Sequence, residues 1–69
     1  MDQSLRQEFS WLFSDEGKSF VLQVEADFRD RKNALSINKI LRKKITPTRA
    51  ALVIEQAQLR IHGLSLIHI

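Results

Sequence analysis

Glycine stands only at positions 17 and 63, and proline only at position 47. These residues punctuate a chain, ending helices and seating the tight turns between strands. So little punctuation in 69 residues predicts helices joined by short connections. The length allows at most one small domain. A chain of this size buries only about 60% of the surface that its unfolded form exposes, so its stability is marginal. Cysteine is absent, which rules out disulfide staples and thiolate metal sites.

Hydrophobic spacing then divides the chain. The expected fold class is all-α, a small bundle of about four short helices at residues 3–13, 15–29, 34–44 and 47–62. In the first helix Leu5, Phe9, Leu12 and Phe13 fall on one face. Trp11 sits off that stripe, where a large aromatic often marks a second contact surface. The stretch SDEG breaks the run. Ser14 can cap a new helix, and Asp15 and Glu16 lie in its first turn, where the dipole favours anions. Phe20, Val21, Val24 and Phe28 form the second stripe. Asn33 is the expected cap of the third helix. Its apolar face is Ala34, Ile37, Ile40 and Leu41, with Leu35 flanking, and Arg42, Lys43 and Lys44 close it.

ITPTRA is the strongest local signal. Thr46 suits an N-cap, and Pro47 takes the first helical position, where its missing N–H costs nothing. In the fourth helix Ala50, Val53, Ile54, Ala57 and Ile61 make the stripe. Thr48, Arg49, Glu55, Gln56 and Arg60 fall opposite, and the small residues at 50, 51 and 57 would let another helix approach closely.

The chain finishes on LSLIHI, residues 64–69. As a strand it would be apolar on both faces and unpaired. As a helix extension it would have to pass Gly63, a usual stopping residue. The codons CTG-TCT-CTT-ATA-CAC-ATC encode the same six residues and resemble the mosaic-end adaptor of transposon-based sequencing libraries. Residues 64–69 are therefore expected to be a non-native tail, irregular or extending the helix. Residues 1–63 are expected to be an N-terminal helical module of a larger protein.

Charge is unevenly placed. Residues 1–28 carry six acids against two bases, and residues 29–49 carry eight bases against one acid. Arg29, Arg31, Lys32, Lys39, Arg42, Lys43 and Lys44 are thus either a solvated or domain-facing surface or a contact for nucleic-acid phosphates. The third and fourth helices resemble a helix-turn-helix in outline. However, Pro47, Thr48, Arg49 and Ala50 are thin equipment for reading bases.

Little else points to chemistry. No Ser/His/Asp set has a plausible base, and two isolated glycines cannot form a phosphate-cradling loop. Asp15/Glu16 and Asp27/Asp30 read as helix-start charge and a solvated face, and His62 as a helix-end residue beside the dipole. No catalytic, cofactor-binding or metal-ligating residue is assigned. The opening MDQSLRQEFS is polar and acidic where a secretory leader would be basic and then apolar. No run reaches the length of a membrane helix. A cytoplasmic location without membrane or metal partners is expected.

One resemblance adds to this reading. LRKKITPTRAALVIEQAQLRIHG (residues 41–63), preceded by WLFSDEGKSF (residues 11–20), resembles the N-terminal region of bacterial class I SAM-dependent methyltransferases annotated with a THUMP-like domain. Leu41-Arg42, Thr46-Pro47, Ala50, Leu52, Glu55-Gln56 and Leu59-Arg60 stand where that pattern asks. The likeness covers most of residues 11–63 and rests on one helix and its cap. It implies that a catalytic domain binding S-adenosylmethionine follows, that the substrate is RNA, and that this region is inactive alone. No residue here matches the glycine-rich cofactor loop, so no cofactor or catalytic role carries over. Arg42, Lys43, Lys44, Arg49, Glu55, Gln56 and Arg60 are the candidate contacts to substrate or to the catalytic domain. The alternatives are a free-standing nucleic-acid-binding or regulatory protein, and a helical protein–protein adaptor docking through Trp11 and its apolar faces.

Overall fold

A computed structural model describes residues 3–63, and of their side chains those from Arg6 onward. Among the described residues four helices form: α1 (Gln3–Leu12), α2 (Asp15–Arg29), α3 (Ala34–Leu41) and α4 (Pro47–Ile61). No strand occurs among the described residues. The expected tail at 64–69 and the side chain of Leu5 lie outside the described residues. No helix among the described residues is long and apolar enough to cross a membrane.

Polar side chains set three of the helix starts. The Ser14 hydroxyl donates to the Trp11 carbonyl and accepts the Gly17 N–H at 3.3 Å, so it closes α1 and opens α2. Asn33 Oδ1 accepts the Ser36 N–H at 2.8 Å, and Thr46 Oγ1 accepts the Arg49 N–H at 3.3 Å. Each such cap contributes about 1 kcal/mol.

Two helices end on a left-handed residue. Arg31 has φ 65°; its N–H donates to the Phe28 carbonyl at 3.0 Å, and that of Lys32 donates to Asp27 at 3.1 Å. This is the paired bonding of a Schellman ending. Gly63, at φ 73°, closes α4 with a 3.2 Å bond to the Arg60 carbonyl. Glycine holds this conformation without strain, whereas Arg31 carries a steric cost of about 1 kcal/mol.

Helix α3 stops at Leu41, short of the expected Lys44. The N–H groups of Lys43 and Lys44 bond carbonyls three residues back, Ile40 at 3.2 Å and Leu41 at 2.8 Å. The cause lies ahead: Pro47 holds Thr46 extended, at ψ 157°, so the chain must leave the helical path before it. Arg42, Lys43 and Lys44 therefore sit on a turn.

The core consists of Leu12, Val21, Val24, Ile37, Leu41, Ala50, Val53 and Ala57. Helix α4 touches all three others, and α2 is its main neighbour. Ala50 and Ala57 are fully covered, as small residues at a close helix crossing should be, while Ala51 faces solvent. Burying a Leu, Ile or Val side chain contributes about 1.5–3 kcal/mol.

Helix α1 is rotated from the expected orientation. Leu12 is buried, but Trp11 packs against the core, while Phe9 and Phe13 are 39% and 48% exposed. The expected stripe counted phenylalanines; the fold turned the larger indole inward. There Trp11 meets Phe20, with centroids 5.9 Å apart, and donates its Nε1–H to Glu16 at 3.3 Å. The second contact surface expected of Trp11 is therefore made within the chain.

Candidate functional site

Arg49 lies in the first turn of α4, with its guanidinium carbon 4.5 Å from the centroid of the Trp11 ring. Its Nε donates to Glu8 Oε2 at 2.6 Å. A stacked, charge-assisted bond of this kind ties α4 to α1. Near the other end of α4, Arg60 Nε donates to Glu25 Oε2 at 3.0 Å, and Arg29 donates to Glu25 Oε1 at 3.2 Å. Glu25 is thus held by two guanidiniums, and its pKa falls below the usual carboxylate range. The Arg60 hydrogen bond is the chief cause; burial opposes it, and the Arg29 bond adds to it.

Neither contact to α4 was visible in local spacing, because Glu8 and Glu25 lie 41 and 35 residues from Arg49 and Arg60; the Glu25–Arg29 pair, one helical turn apart, is the local one. For Glu8 and Arg49 the signal that could have pointed to the pair was the charge asymmetry between residues 1–28 and 29–49. An acidic first stretch and a later basic one attract when they fold against each other.

The other candidates stand differently. Glu55 is exposed, beside Ala51, Ile54 and Gln58 of α4 and Leu35 and Asn38 of α3. Gln56 is half-buried in a shallow groove with Leu12, Phe13, Val21 and Leu22, with Arg60 on its rim. Its Oε1 is buried without a partner among the described residues. Arg42, Lys43 and Lys44 are exposed and form no ion pair among the described residues. The same holds for Arg31 and Lys39. Lys32 reaches Asp27 at 3.4 Å, a long and exposed contact worth little.

The seven candidates therefore separate. Arg49 and Arg60 hold helices together. Gln56 and Glu55 border apolar surface. Arg42, Lys43 and Lys44, with Lys39 and Arg31, make a basic edge along α3 and its flanking turns.

Acid–base groups do not converge among the described residues. Asp15 and Glu16 start α2, and Asp30 is its C-cap. Asp27 accepts from Gln23 at 3.3 Å and from Lys32. His62 is the C-cap of α4, its N–H bonded to the Gln58 carbonyl at 3.1 Å. No group of His, Asp and Glu among the described residues could hold a metal ion. The glycines do not fit a cofactor loop either. Gly17 is buried inside α2 with the Trp11 and Leu12 carbonyls pressed against it, and Gly63 terminates α4.

No curated protein and no solved structure matches the chain. Matched over residues 4–62, from the first turn of α1 to the C-cap of α4, the chain belongs to the family described as a domain of unknown function, DUF8688.

Proposed function

We propose that this domain is a non-catalytic helical module of an RNA-directed, SAM-dependent methyltransferase of the cytoplasm. Its work is to offer RNA a basic edge and to pack on the catalytic domain that binds S-adenosylmethionine. One observation carries the reading. The arginines of the acid-facing side are engaged by Glu8 and Glu25, while Arg42, Lys43 and Lys44 stand free of carboxylates among the described residues. Phosphates bind cations whose charge is not already neutralised. The half-exposed Phe13 and Leu22 beside Gln56 give the catalytic domain an apolar place to dock. The resemblance of residues 41–63 to such methyltransferases supports the same assignment.

The test is binding of generic RNA to the 69-residue chain across a salt series. We expect a steep dependence, with Lys43→Ala and Lys44→Ala each flattening the slope by about 0.7 and leaving the melting temperature unchanged. RNA binding that is insensitive to salt and to both variants would sink the proposal. So would binding of S-adenosylmethionine to this chain in calorimetry.

A further inference from the structure

The groove between α2 and α3 is not used by the function above. The two helices touch only lightly, and a channel stays open between them. Phe20 and Ile37 line its floor, Ser19 and Gln23 one wall, and Ile40 the other. Helix α3 has eight residues and is about 12 Å long. Lys32 precedes it and Lys44 follows it, and both line the groove. A cation thus stands at each end of a channel with an aromatic floor.

The details suit a flat aromatic guest. Trp11 braces the Phe20 ring at 5.9 Å. Ile40 is 49% exposed although it belongs to the apolar side of α3. The groove's acids are already engaged: Glu16 accepts the indole N–H of Trp11, and Asp27 accepts Gln23 and Lys32. The Gln23 amide offers both a donor and an acceptor for a base edge.

We infer that this groove takes an unpaired nucleobase, stacked on Phe20 and against Ile40, with a flanking phosphate at Lys44. The inference rests on the RNA reading above and names the RNA as single-stranded. Bases splayed from a single strand stack on aromatic side chains, whereas a duplex keeps its bases inside. An amphipathic protein helix is the other guest of an apolar groove. It would cover the Ser19 and Gln23 wall without pairing it and would make no use of the basic edge.

The experiment is a titration of the full chain, followed by backbone amide NMR shifts and by the fluorescence of its one tryptophan, Trp11. The probes are short oligo(A), oligo(C) and oligo(U), a matched RNA duplex, and inorganic polyphosphate as a polyanion without bases. We expect the single strands to shift Ser19, Phe20, Gln23 and Ile40 and to change the Trp11 emission. Polyphosphate should shift only residues 39 and 42–44. Phe20→Leu, which keeps an apolar side chain, and Ile40→Gln, an uncharged change at an exposed site, should each weaken single-strand binding about tenfold. Neither should alter polyphosphate binding. If single strands, duplex and polyphosphate all bind alike through the basic edge, the groove inference is overturned and the RNA reading survives. If no RNA moves any amide, both fall.

Discussion

The two long sides of this domain treat charge in opposite ways. Where α1, α2 and α4 meet, carboxylates and guanidiniums are matched: Glu8 with the distant Arg49, and Glu25 with the distant Arg60 and with Arg29 one turn along α2. Along α3 and its turns, Arg31, Lys39, Arg42, Lys43 and Lys44 find no carboxylate among the described residues. The first side also holds the tryptophan and a close backbone approach at Gly17. The second carries Leu35 and Ile40 in the open. Charges of one type thus serve assembly on one side and remain available on the other. Composition alone cannot separate those roles, since it is the partner that decides.

The sharpest way to break the assembled side is Gly17→Ala. In an ordinary helix this change would add about 0.5–1 kcal/mol of stability. Here the new Cβ would collide with the carbonyls of Trp11 and Leu12. We expect a loss of about 1–3 kcal/mol, read as a fall in melting temperature of roughly 4–8 °C per kcal/mol. A stabilised variant would show that the joint between α1 and α2 is looser than described.

Arg49→Ala should come next, at about 1 kcal/mol, because it removes both the stack on Trp11 and the bond to Glu8. Lys44→Ala, by contrast, should leave the denaturant midpoint where it is. Equal effects of the two on stability would erase the distinction between the sides.

The smallest effect is pH-dependent. The Glu25 carboxyl titrates lower in the folded chain than in the unfolded one. Its contribution is therefore fully present above the ordinary glutamate pKa, about 4.3. It is lost as the pH falls below that value through the lower folded pKa. Arg60→Gln removes the principal cause of the shift, so it should flatten the acid limb of a stability–pH curve by slightly lowering stability at pH 7 while leaving it unchanged below the folded pKa. An unchanged acid limb would assign that limb to other carboxylates.

Much of the fold was legible because its signals are local. Ser14, Asn33 and Thr46 act as the caps that their neighbours suggested, and α2 has the expected bounds. The α4 stripe also holds, with Ala50, Val53 and Ala57 buried. What spacing could not show was the competition for the core. The choice between Trp11 and Phe9 or Phe13 on α1 depends on what α4 brings to meet it, namely Arg49. Gly17 lies inside the expected bounds of α2, but spacing could not show why a glycine stands there: α1's carbonyls leave no room for a side chain. Of the candidate site, the basic triplet was legible as a run of like charges. Its separation from Arg49 and Arg60 was not, since Glu8 and Glu25 come from elsewhere in the chain.

The bond between Glu8 and Arg49 also bears on how the chain closes. Helix α4 has no acid in its first turn and places a cation there instead, the wrong sign for the positive end of a helix dipole. Glu8 brings the missing negative charge from α1, 41 residues upstream. The last helix thus borrows its electrostatic start from the first. Helices α1 and α4 therefore stabilise each other in the folded domain, where α4 closes back on α1.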